Sequence, residues 1–165
     1  MAVIILSSCN GPEKKATDNM PSDSLKTAVA KSLDNYVLAI KDGVADTSKT
    51  MEIIRTYLDA NPAVYGTAIA FEPVINGKDS LRYSLYSYRT ATGYETKNFG
   101  QIYDYTKDAW YSAPVAQKKA IWTDPYFDAP GGNVQMITYS VPISKADGSI
   151  QGVITADLEI KAVKE

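Results

Sequence analysis

The chain has no histidine among its 165 residues and a single cysteine, Cys9. Without imidazole there is no His-based triad, no His general base and no usual zinc site. One cysteine cannot close a disulfide within the chain. Charge of one sign is scarce too: 17 basic and 19 acidic residues give a net charge of −2, and no Lys/Arg run exceeds a pair. That balance argues against a nucleic-acid partner. No stretch of 18 apolar residues occurs, so no segment reads as a membrane-spanning helix. Phosphate-loop, dinucleotide and G-x-S-x-G patterns are missing as well. These absences leave no basis for an enzyme and imply neither cofactor nor metal.

What the chain does have is 45% apolar and 22% charged residues, the mix of one ordinary folded domain with a core of its own. Residues 1–21 read differently. Leu6-Ser7-Ser8-Cys9 ends a short apolar run in small residues and a cysteine, the pattern of a bacterial lipoprotein box with Cys9 as the acylated residue. The polar, Pro-bearing stretch that follows reads as a tether. The segment is a lipoprotein-like signal or an apolar stub of a longer transmembrane segment. Either one places the folded part, residues 22–165, outside the cytoplasm and anchored to a membrane. An unstructured N-terminus with an incidental cysteine is the alternative.

From Leu25 to Ile40 apolar residues recur at helical spacing (Leu25, Val29, Leu33, Val37, Ile40), with Ser22 or Ser24 to cap the start and Gly43 past the end. A second helix is predicted over Ser48–Asp59, stopped by Asn61-Pro62. Residues 64–71 and 81–88 read as strands with Asn76-Gly77 as the hairpin cue between them. A Gly-marked region and a short helix or loop over 108–120 come next. Residues 134–141 and 149–160 read as two further strands joined at Asp147-Gly148. Two helices and then a meander of antiparallel strands make an α+β fold. Helices cover one sheet face, and segment 94–132 crosses the other, where a pocket can form.

"NPAVYGTAIAFEP", the Trp110-Tyr111 pair, "IWTDPYFDAPGGNVQMITYSVPI" and "DGSIQGVITADLEI" stand in an order that resembles the extracytoplasmic Cache (PAS-like, PDC) sensor domain. Such domains front bacterial chemoreceptors, sensor kinases and SpoIIE/RsbU-type phosphatases. The resemblance covers residues 24 to 165 and is strongest to the membrane-distal module of a double Cache domain. It implies a long N-terminal helix packed on a five- to six-stranded antiparallel PAS-like sheet, with a ligand pocket between sheet and crossing loops. It also implies a second module and an output domain that this sequence does not contain, so the chain is a fragment or a freestanding lipoprotein.

In the amino-acid-binding branch of that family the pocket uses a tyrosine, an arginine, a Trp-Tyr pair, a later tyrosine and a final aspartate. By resemblance these fall on Tyr103, Asp108, Trp110, Tyr111, Tyr126 and Asp157. The departure is Asp108 in the arginine's place. An arginine there would hold a ligand carboxylate by a bidentate pair, whereas an aspartate repels it. The residues carry a reading of their own. Asp157 lies on the Val153/Thr155 face of an otherwise apolar strand, where a buried carboxylate needs a cation or several donors. Aromatic faces attract ammonium groups. Together these side chains suit a small organic cation, a primary or quaternary amine.

Other residues read more plainly. Trp122 and Tyr139 are packing residues in strand-like runs, and Asp124 and Asp128 are polar punctuation in a loop. The function that follows is a small-molecule sensing domain whose ligand shifts a homodimer of N-terminal helices. The alternatives are an envelope-anchored structural or protein-binding module and, on the Asp124/Asp128 pair, a carboxylate hydrolase.

Overall fold

The computed structural model describes residues 19–41, 43, 44 and 46–161. Helix α1 spans Asp23–Ile40, its start capped by the Ser22 hydroxyl, which accepts from the Leu25 N–H at 3.2 Å. The predicted stripe is its buried face, with Val29, Leu33 and Val37 inward. Packing begins before the expected boundary at residue 22, since Met20 lies against the same core. Helix α2 runs Thr50–Ala60 and ends at Asn61. Its first turn, Thr47–Lys49, is 3-10 and is capped by Asp46, so the α-helix starts two residues later than expected.

The strands are β1 (Gly66–Phe71), β2 (Val74–Asn76), β3 (Asp79–Leu81), β4 (Ser84–Thr90) and β5 (Gly93–Asn98), then β6 (Ile121–Trp122), β7 (Tyr126–Phe127), β8 (Gln135–Ser144) and β9 (Ile150–Glu159). Between β5 and β6 lie α3 (Phe99–Ile102) and α4 (Ala109–Gln117). The main sheet is antiparallel in the order β5-β4-β1-β9-β8-β6, with β7 also paired to β8. This is not the expected simple meander. Every residue of β1 is buried, so it needs a partner on both edges, and the last strand, β9, fills the second place. The hairpin cue at Asn76-Gly77 is real, but it joins β2 to β3 in a separate exposed ribbon. The strand predicted over 81–88 therefore divides into β3 and β4.

Alternation in the long strands sorts side chains to two faces. Ile69, Ile137, Ile154 and Leu158 meet Leu33, Ile54 and Leu58 beneath α1 and α2. Ala68, Tyr86, Tyr88 and Val153 face the other way, under Phe99, Tyr105, Trp110 and Tyr111 of the crossing segment. Trp122 and Tyr139 belong to the first face, with ring centroids 5.0 Å apart. The Tyr139 hydroxyl donates to the Asp34 carboxylate of α1 at 3.1 Å. Arg89 of β4 reaches under α2, its Nε donating to the Val64 carbonyl at 2.9 Å and its terminal nitrogen to the carbonyls of Leu58 and Asn61.

Candidate functional site

On the face away from α1, small residues of β1 leave a hollow. Gly66 pairs with Asp157 of β9, and Ala68 pairs with Tyr86 of β4. Over this floor lie two chambers that share Trp110, Tyr126 and Asp128 as walls. The outer one, about 350 Å3, is bounded by Tyr103, Asp108 and the 123–129 loop. The inner one, about 10 Å3, holds Tyr86, Thr138, Thr155 and Asp157, and is roughly the space of a single water.

Asp157 is 2% exposed. Thr138 Oγ1 donates to its Oδ1 at 2.8 Å, and Tyr126 and Thr138 share a hydroxyl–hydroxyl bond at 2.8 Å. A donor chain from Tyr126 through Thr138 thus ends on the carboxyl. Burial, with the Asp128 charge adding to it, pushes Asp157 up to about 8, against the hydroxyls of Thr138, Tyr86 and Thr155. Asp128 is also buried, and burial pushes it up against the Gly132 N–H, which donates to its Oδ2 at 2.6 Å. A Cβ on Gly131 would overlap that carboxyl, so the glycine lets the loop close on it. Lys97 of β5 pins the same loop by donating to the carbonyls of Pro130 and Gly131 at 2.8 and 2.6 Å. Among the described residues neither carboxyl joins a salt bridge.

The structure places Tyr103, Asp108, Trp110, Tyr126 and Asp157 around these chambers. The Asp108 carboxylate accepts from the Trp110 indole N–H at 3.2 Å, which holds its charge at the outer wall. Burial raises the Tyr103 and Tyr126 phenols far above their ordinary value, keeping both neutral donors. Tyr111 is a correction. It lines neither chamber, and its ring packs edge-on against Tyr105 at 5.1 Å. Consecutive residues of a helix point about 100° apart, and here Trp110 turns to the cavity while Tyr111 turns to Tyr105. Asp128 is a correction in the other direction, a buried wall of both chambers rather than loop punctuation. Asp124 stays at the exposed rim. Tyr86 and Thr138 were not anticipated either, although Thr138 pairs with Asp157 and shares its face. Cys9 lies outside the described residues.

A cavity of this kind, between a PAS-like sheet and a crossing segment, defines a sensor domain. Residues 50–165 match the model of the first PDC sensor domain of methyl-accepting chemotaxis proteins, and the chain belongs to that family. It is 29% identical over 131 residues to the methyl-accepting chemotaxis protein TlpQ of Pseudomonas aeruginosa, a match of 65% of this chain and 18% of that protein. The extracellular domain of histidine kinase soHK1S-Z6 superposes with a TM-score of 0.65 at 34% identity, over 80% of this chain and 51% of that domain. The P. aeruginosa chemoreceptor PctB domain, solved with L-Arg, shares the fold at a TM-score of 0.56 and 16% identity, over 82% and 50% of the two chains. The chain thus spans about half of these solved domains. Its family and the 34%-identical extracellular domain imply an extracytoplasmic location. No helix among the described residues is long and apolar enough to cross a membrane. No group of three or more metal-ligating side chains occurs among them.

Proposed function

We propose that this domain is the ligand-recognition module of an extracytoplasmic receptor, and that its cavity takes a small organic cation, a primary or quaternary amine. One observation carries the reading: two buried carboxyls, Asp128 and Asp157, line one aromatic cavity with no salt bridge to either among the described residues, Lys97 acting on Asp128 only through its field. Such a pair is strongly disfavoured as two anions, and a bound cation relieves it. Trp110 and Tyr126 add ring faces that attract ammonium. Asp108 supports exclusion of carboxylate-bearing ligands, because a second negative group lines the outer chamber.

Calorimetry on the wild type and two variants tests this. Wild type prefers amines to free amino acids. Asp157→Ala loses more than a hundredfold in amine affinity, about 3 kcal/mol or more, while keeping its fold. Asp108→Arg weakens amines and admits ligands that carry a carboxylate. A wild type that prefers a neutral or carboxylate ligand sinks the proposal. The small inner chamber favours a second reading, a protein-binding module whose pocket is filled by its own side chains. In that case none of a broad panel of small molecules shifts the melting temperature.

The same proposal includes membrane anchoring at Cys9 or by a transmembrane segment, and a homodimer through α1, whose Leu38 is 68% exposed. Labelled palmitate marks the full-length protein under the Cys9 reading, and Cys9→Ala abolishes the label.

A further inference from the structure

Tyr86 faces the cavity from β4, and its hydroxyl end occupies the position where any Cβ on Gly66 would stand. Gly66 is the cross-strand partner of Asp157, so the missing side chain lets the phenol reach the carboxyls. Stacking on Tyr88 and Phe99, with centroids 5.4 and 4.9 Å away, holds the ring in place. The side chain is 1% exposed. Its hydroxyl shares the inner chamber with Asp128 and Asp157 and lowers both carboxyls, yet it meets no described residue at full hydrogen-bond geometry. A buried hydroxyl left unpaired is costly, and such a group in a cavity wall points to a ligand that pairs it.

We propose that Tyr86 determines which cations the cavity accepts: with Asp128 and Asp157 it forms a three-oxygen chamber for a single –NH3+ group, selecting primary over quaternary ammonium. The inference rests on the reading of the cavity as a cation site. A primary ammonium carries three N–H donors, one for each oxygen. The inner chamber, about 10 Å3, holds one water-sized head. A trimethylammonium head is wider and has no N–H. It is left in the outer chamber against Trp110 and Tyr126, with ring attraction alone.

Calorimetry with n-butylamine and butyltrimethylammonium on the wild type and Tyr86→Phe tests this. The wild type binds butylamine at least tenfold more tightly than its trimethyl analogue. Tyr86→Phe keeps the stacked ring and loses about tenfold for butylamine, with the analogue little changed, so the ratio collapses. On the wild type alone, stepwise N-methylation of butylamine lowers affinity with each donor removed, a result that does not depend on the variant folding. Equal affinity for the two probes, or a ratio unchanged in Tyr86→Phe, overturns the role of Tyr86 and leaves the cation site standing. If neither probe binds the wild type, the cation reading itself fails and this inference falls with it.

Discussion

Asp157 shows what a single residue contributes here. In the unfolded chain its carboxyl titrates near 3.8, and burial in the folded chain pushes it up to about 8. Between those values the folded state holds a proton that the unfolded state has released. Stability is therefore greatest at the acid end of that window and is lost as pH rises through about 8, by up to about 1.4 kcal/mol per unit. Asp128, also pushed up, acts in the same sense. Asp23, Asp46, Asp104 and Asp147, held below 3.8 by hydrogen bonds or ion pairs, act only at lower pH. The unliganded wild type should thus melt progressively lower from pH 5 to pH 8, and Asp157→Asn should flatten the slope; equal slopes would contradict the account. Asp157 was legible because period-two alternation fixes its face. Asp128 was not, since its burial depends on the loop closing at Gly131, which no periodicity reports. Gly131→Ala should therefore cost about 1–3 kcal/mol by forcing a methyl into that carboxyl, read as a lower urea midpoint with an unchanged slope.

Elements were legible to the extent that their signals were local. The α1 stripe could be read directly and its cap narrowed to Ser22 or Ser24, and β8 and β9 could be read too, since their apolar residues run long enough to show a face. Strand β5 could not, because Gly93–Asn98 is a polar edge with one side in solvent. The Asn-Gly turn specified a hairpin but not which strands it joined, since membership of the sheet is decided by burial at a distance. Arg89 ties two such elements together, bringing a cation from β4 to the carbonyls of Leu58, Asn61 and Val64 at the end of α2 and the loop after it. Arg89→Met, which keeps the stem and removes the donors, should cost about 2–3 kcal/mol in denaturant unfolding. Tyr139→Phe, which removes the hydroxyl tie to Asp34, should cost only about 0.5–1.5 kcal/mol and leave ligand affinity in place.

Over the whole molecule, the pairing of β1 with β9 brings distant parts of the chain together, which is why a local reading gave a meander instead. The central strands carry the buried residues, whereas every residue of the β2–β3 ribbon is exposed. Amide exchange should therefore be fastest at Val74–Leu81 and slowest in β1 and β9, and a ribbon as protected as the core would refute that order. Strand β8 runs through the middle of this arrangement with a different task on each side. Thr138 holds the carboxyl that faces the cavity, and Tyr139, the next residue, holds α1. One peptide plane links the two. Neighbouring residues of a strand point to opposite faces, so a single extended segment is wall to the cavity on one side and anchor to the helix layer on the other.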